Sequence, residues 1–352
     1  MNSRLSETQA LDLFLNAPLQ ELCKKANEEK EARHGKYVYW VNNRQINYTN
    51  ICVLHCKFCS FSKIKKDSPN AYDWSHETIL EKAAQAVAHG AEELHIVGGL
   101  HPDHPFSYYV EMLRKLRNAF PKVNLKAFTA VELCHFAKLS GRALSDIIAE
   151  LKAAGLDALP GGGAEILVQS VRDEICGAKE TGEEWLEAHR VAHQAGIHTN
   201  ATMLMGHIEK PEDRIRHMAM LRDLQDETHG FFAFIPLVFH PEHNSLGRII
   251  TQKMSPEDIL RTVAISRLFL DNFPHIKAYW IQMGLDTALR ALHCGASDMD
   301  GTIIEEKITH AAGANTDVGM SPERMKALIL QEGLVPLERN AKYETEEKFR
   351  HY

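Results

Sequence analysis

The stretch NICVLHCKFCSF, residues 50–61, places Cys52, Cys56 and Cys59 at gaps of three and then two residues. Thiolates at such spacing are candidate metal ligands. A closed structural site takes four protein ligands, whereas three leave a position open for something else. Three readings stand side by side: a zinc ion completed by His55, an iron–sulfur cluster held by three cysteinates with one iron lacking a protein ligand, and three unrelated reduced thiols. The gaps are not a common zinc-finger spacing, and a cluster suits the count of three best. Phe58 stands where an apolar ring would shield such a cluster and tune its potential. Cys23, Cys134, Cys176 and Cys294 show no ligand spacing and read as ordinary reduced residues.

The loop needs a scaffold, and the chain supplies alternating strands and helices. Strands are expected at 46–50, 93–99, 124–132, 156–160, 197–206, 231–240 and 276–282, with a weaker eighth at 301–306; several are continuous apolar runs, as in parallel strands buried on both faces. Between them lie amphipathic helices, one with Ile79, Ala83, Ala86 and Val87 on a single face. Ser255-Pro256 and Ser321-Pro322 read as helix starts, and Gly90, Gly155 and Gly196 as helix ends leading into strands. Seven or eight such units point to a TIM-type (β/α) barrel, with a doubly wound open sheet as the alternative. The expected organisation is one domain over residues 1–352, with an N-terminal helix at about 6–29 and a charged C-terminal tail at about 337–352.

In a barrel, chemistry collects on the loops after the strands. The cysteines follow the first strand, and Gly98, Gly99 and His101 the second. Glu132 ends the third, Gly161 to Gly163 follow the fourth, and His207 and Glu209 the fifth. His240 and His243 follow the sixth. These residues are expected to converge on one rim.

The chain has 352 residues, a formal net charge of −7 and 44% hydrophobic residues, enough to build a core. A mildly acidic chain without a long basic run argues against nucleic acid as the main partner. There is no apolar run of the roughly 18 residues a membrane span requires, and no export signal is read at the N-terminus. Seven cysteines, an odd number, suit a reducing cytoplasm. The sequence does not give the oligomeric state.

The CxxxCxxC motif, with an aromatic before its last cysteine, resembles the radical S-adenosylmethionine superfamily, whose members carry a 4Fe–4S cluster chelating S-adenosylmethionine at its free iron. The resemblance extends along GGLHPDHPFSYY (98–109), LKAFTAVE (125–132), AGLDALPGGGAEIL (154–167), NATMLMGHIE (200–209) and GTIIEEKITHAAGA (301–314). These are similar to a branch holding the aminofutalosine synthase and dehypoxanthine futalosine cyclase families of menaquinone biosynthesis, and the coenzyme F420 chromophore synthases. KAFTAVE and IPLVFHPEHN are most like the first of these.

That resemblance implies addition of the 5′-deoxyadenosyl radical, made from S-adenosylmethionine consumed as a substrate, to the vinyl carbon of 3-[(1-carboxyvinyl)oxy]benzoate. It also implies roles. Gly98 and Gly99 meet the amino group of S-adenosylmethionine; because Leu100 follows where the family commonly has Glu, a carboxylate contact from position 100 is absent. Glu132 accepts from ribose hydroxyls, or else is a helix N-terminal charge. Arg172 takes the methionine carboxylate, or else is a surface arginine. Gly161 to Gly163 allow close backbone approach or form a tight turn. His101, His207, His240 and His243 are candidates for contacting substrate carboxylates or moving protons, with Arg248 a weaker carboxylate candidate. No general base is identified. Lys57, Lys63, Lys65 and Lys66 would dock an acidic reductant such as flavodoxin or ferredoxin, or form a solvated loop.

Overall fold

The structure, a computed structural model, describes residues 4–317 and 319–345. Its centre is a seven-stranded, all-parallel sheet in sequential order: β2 (Asn43–Ile46), β3 (Glu93–Ile96), β4 (Asn124–Ala127), β5 (Ala158–Leu159), β6 (His198–Met205), β7 (Phe231–Val238) and β8 (His275–Ile276), preceded in the chain by β1 (Tyr37–Val41). Helices connect the strands, as parallel neighbours require. β1 lies instead in a second, three-stranded sheet, between β9 (Asp298–Gly301) and β10 (Val335–Glu338).

The seven-stranded sheet curls into a partial barrel. Its two edges are linked through the β9 segment by single parallel bridges, Lys277 to Asp298 on one side and Arg44 to Ile304 on the other. The expected barrel therefore holds in its partial form.

Local chemistry accounts for the helix boundaries. Ser255 and Ser321 cap helices that begin with Pro256 and Pro322, and Gly90, Gly155 and Gly196 take positive φ where helices give way to strands. Thr129 and Glu132 form a capping box, each side chain bonding the other's backbone N–H. This box corrects the third expected strand: β4 stops at Ala127, and TAVE opens the helix Ala130–Ser140. Likewise the strand expected at 276–282 ends at Ile276, and Trp280–Met283 is helical, with Trp280 Nε1 donating to the Gly301 carbonyl at 2.9 Å. The expected N-terminal helix is two, Glu7–Asn16 and Leu19–His34, broken at Pro18, which lacks the N–H a continuing helix needs. The tail expected at about 337–352 contributes β10 instead; its residues beyond 345 lie outside the described ones. No helix among the described residues is long and apolar enough to cross a membrane.

Below the mouth, the barrel carries a buried ionic network. Lys126 bonds Glu93 at 3.0 Å, Lys277 bonds Asp300 at 2.5 Å, and Arg339 bonds Asp298 at 2.7 Å, with Tyr343 Oη also donating to Asp298 at 2.7 Å. Arg339 and Asp298 are completely excluded from solvent. Removing one partner of such a pair leaves a charge without compensation, which costs about 3–5 kcal/mol. Arg339→Met is therefore expected to lower unfolding free energy by about that much in urea titration; a loss below 1 kcal/mol would mean the network does not hold β9 and β10 in place.

Candidate active site

The barrel mouth opens into a cavity of about 320 Å³ lined by all three motif cysteines. The cysteine loop is pinned from several sides. Cys52 N–H donates to the Lys63 carbonyl at 2.9 Å, Val53 N–H to Leu100 at 3.0 Å and Lys57 N–H to Ile175 at 2.9 Å, while the Lys57 carbonyl accepts from Leu246 N–H at 2.8 Å. Segments after three other strands, β3, β5 and β7, thus help fix one short segment, which is what a preformed ligand set requires.

All three cysteines are free. Burial pushes the Cys56 thiol up to about 12 and raises that of Cys52, so each needs a bound cation to become thiolate. A single zinc ion would draw its sulfurs to roughly 3.8 Å apart, given tetrahedral Zn–S bonds of about 2.3 Å. The three thiols are not among the described groups whose ligand atoms all lie within 4.8 Å of one another. His55 is exposed and off the cavity wall. The three thiols therefore line the wall without His55, and a set of three fits a cluster. Phe58 is on the wall, beneath the Lys179 ammonium at 5.4 Å from its ring centre.

Asp73, His101 and His104 do form a group with single-ion spacing. His101 Nδ1, however, accepts from the Asp103 N–H at 3.1 Å, so Nε2 carries the proton and offers no lone pair to a metal.

Gly98 and Gly99 line the cavity where expected, and the structure supplies a reason for their type. A Cβ on Gly98 would lie 2.6 Å from the Tyr48 ring, and one on Gly99 2.2 Å from the Ile51 carbonyl oxygen. Glu132 is buried at the first turn of its helix and touches the cavity. One oxygen accepts from Tyr48 Oη at 2.7 Å and Gly98 N–H at 3.2 Å; the other accepts from Thr129 N–H at 2.7 Å and its hydroxyl at 2.9 Å. Four protein donors leave it little to offer a ribose. It positions the glycine pair.

Arg172 is a correction. It lies off the cavity wall, fully buried, donating to the carbonyls of Glu180, Gly163 and Ala164, so its fork clasps the glycine loop from behind. A nearby cation that does reach the cavity is Lys179, bonded to Glu165 at 2.6 Å. Burial opposes its charge, but the Glu165 carboxylate holds its pKa above the ordinary lysine value.

Of the four candidate histidines, only His240 lines the cavity. Its Nε2 donates to the Gln282 carbonyl at 3.0 Å, so Nδ1, buried and without a partner, is the acceptor nitrogen. His101 is buried behind the wall. His207 is held by Leu204 and Ile208, and His243 sits in a turn at φ 62°. Arg248 is likewise off the wall, in the short 3-10 helix Leu246–Arg248.

Residues deeper in the barrel escaped the sequence reading: Gln45, His95, Lys126 and Asp300 line the cavity from the strands themselves, and Lys277 from just after β8. Burial holds His95 down to about 4, so its ring is neutral. The signal was present in Lys126, a lysine set between Leu125 and Ala127 in an expected strand.

Burial raises the Glu132 carboxyl to about 6, against the pull of its donors. A carboxyl raised from 4.5 binds more protons folded than unfolded, so its contribution is present below pH 4.5 and is lost as pH rises through 6. A shift of 1.5 units corresponds to about 2 kcal/mol. Relative to Glu132→Gln, the wild type is expected to lose about that much stability between pH 4 and pH 7 in parallel urea titrations; identical pH dependence in the two proteins would contradict the assignment.

Comparison with known proteins agrees with this geometry. The family model described as the Radical SAM superfamily matches residues 46–221, and that of the CofH/MqnC C-terminal region matches 228–352. The aminodeoxyfutalosine synthase of Thermus thermophilus is 44% identical over 97% of this chain and 92% of its own. The cyclic dehypoxanthine futalosine synthase of Streptomyces coelicolor is 38% identical over 97% and 85%. The crystal structure of methylornithine synthase superposes with a TM-score of 0.74 at 17% identity, covering 95% of each chain, and so supports the fold alone. With three thiols on a preformed loop at the mouth of a parallel partial barrel, and full-length relatives of this kind, the chain belongs to the radical S-adenosylmethionine superfamily, in the branch carrying the CofH/MqnC C-terminal region.

Proposed function

We propose that this chain is an aminodeoxyfutalosine synthase, acting as a single barrel domain in the cytoplasm. The observation that carries the proposal is the 44% identity to the Thermus thermophilus enzyme across nearly the whole of both chains. The cavity supports it, because it holds one cysteine triad and three lysines, the buried Lys126 and Lys277 and the half-buried Lys179, suited to anionic substrates.

Cys52, Cys56 and Cys59 would hold a 4Fe–4S cluster, which with S-adenosylmethionine would supply a 5′-deoxyadenosyl radical for addition to the vinyl carbon of 3-[(1-carboxyvinyl)oxy]benzoate. The chain's own residues bind and orient. Gly98 and Gly99 offer backbone to the amino group of S-adenosylmethionine, held in place by Glu132. Lys179, rather than Arg172, takes the methionine carboxylate. Phe58 and the apolar wall keep water from the radical. Holding both substrates in near-attack geometry is the main contribution a protein can make here, since an unanchored primary radical reacts with anything nearby.

An acidic electron carrier of the flavodoxin or ferredoxin kind is the proposed reductant. Lys57 and Lys66 are already paired, with Glu174 at 2.6 Å and Asp103 at 2.9 Å, leaving Lys63 and Lys65 as the steering charges of the loop. Replacing both with glutamine is expected to flatten the ionic-strength dependence of flavodoxin-driven turnover; an unchanged slope would remove them from docking.

The deciding experiment is an anaerobic reaction of the cluster-reconstituted chain with reductant, S-adenosylmethionine and the enol ether, followed by mass spectrometry. An adduct joining adenosyl and benzoate parts, less one carboxylate, is the expected outcome. If 5′-deoxyadenosine and methionine form without adduct, while dehypoxanthine futalosine is cyclised, the chain is the cyclase instead.

A further inference from the structure

We infer that Lys126 and Lys277, at the strand level beneath the cysteine loop, form the recognition site for the ring carboxylate of the aryl substrate. The inference rests on the proposed function for the identity of that carboxylate, but the site itself is argued from the barrel.

Gln45, His95 and Lys126 share one register across β2, β3 and β4, so their inward side chains make a single layer. Lys277 joins from the far side, just after β8, where its N–H continues the sheet by donating to the Phe234 carbonyl at 2.9 Å. All four reach the same cavity.

Two ammonium groups in a protein interior are costly unless something anionic meets them. Lys126 is 2% exposed and Lys277 1%. Each can donate three hydrogen bonds, and each makes one, to Glu93 and to Asp300 respectively; among the described residues no second acceptor is engaged by either. The network's carboxylates do not crowd the ligand side equally. Glu93 and Asp298 are excluded from solvent and lie off the cavity wall, and only Asp300 shares it with the lysines. At this layer the wall therefore presents the unspent N–H donors of two paired lysines, with Asp300 beside them, and the polar side chains of Gln45 and His95, a donor set that suits a ligand carboxylate.

Distance suits the same reading. His95 precedes Gly98 by three residues, at most about 10 Å of extended chain. An aryl ring anchored by its carboxylate on this layer would rise towards the cysteine loop, leaving the meta substituent at the level where the radical is made.

The test uses the cluster-reconstituted full chain with S-adenosylmethionine and no reductant, so that no chemistry occurs. The probe is 3-hydroxybenzoate, compared with uncharged 3-hydroxybenzamide in equilibrium dialysis. The wild type is expected to prefer the carboxylate at least tenfold, and Lys277→Gln and the paired change Lys126→Gln with Glu93→Gln are each expected to lose most of that preference. The paired change avoids leaving Glu93 unneutralised, and the ligand comparison in the wild type requires no variant. Equal or undetectable binding of both probes to the wild type overturns the inference, as does a preference retained in both variants. A preference present and lost as expected, with no adduct formed from the enol ether, would overturn the proposed function while leaving this site standing.

Discussion

Four hydrogen-bond donors converging on one carboxylate hold the mouth of this barrel together. Glu132 ties Tyr48, beyond the end of β2, to Gly98, beyond β3, and to Thr129 at the helix start after β4. Three consecutive βα loops are thereby fixed to a single point. The tie explains why a side chain is forbidden at Gly98, since the phenol that serves Glu132 occupies the space a Cβ would need. A carboxylate buried this deeply tolerates burial only because every lone pair is met.

A second constraint is that the cavity must hold charge without holding loose water. Each of its three lysines has a carboxylate of its own: Glu165 for Lys179, Glu93 for Lys126 and Asp300 for Lys277. Pairing offsets part of the cost of burying the cations and fixes their direction, while the spare N–H groups remain available to a ligand. Apolar residues supply most of the remaining wall.

The chemistry-bearing loop, the glycine pair, the parallel strand order and the helix punctuation were all legible in the sequence, because each depends on residues adjacent in the chain. What was not legible depends on facing. In strands buried on both sides, apolar runs carry no alternation to say which residues point inward, so Lys126 and Lys277 passed unnoticed beside the more conspicuous histidines. Arg172 and Lys179 show the same limit. Both follow the fourth loop, but the helix Gln169–Cys176 ends between them, and only the residue beyond its end turns into the cavity. β1 and β10 went unrecognised as partners because nothing local indicates pairing across almost the whole chain.

The order of the strands also bears on how such a chain can be divided. The two family models meet between residues 221 and 228, which reads as a natural boundary. In space that boundary falls between β6 and β7, neighbours paired over seven positions, and β1, ahead of both models, pairs only with strands of the second. Units of inheritance and units of folding therefore do not coincide here. Neither segment, made alone, would have a finished sheet edge, and each would present unpaired backbone to the other or to any strand it met.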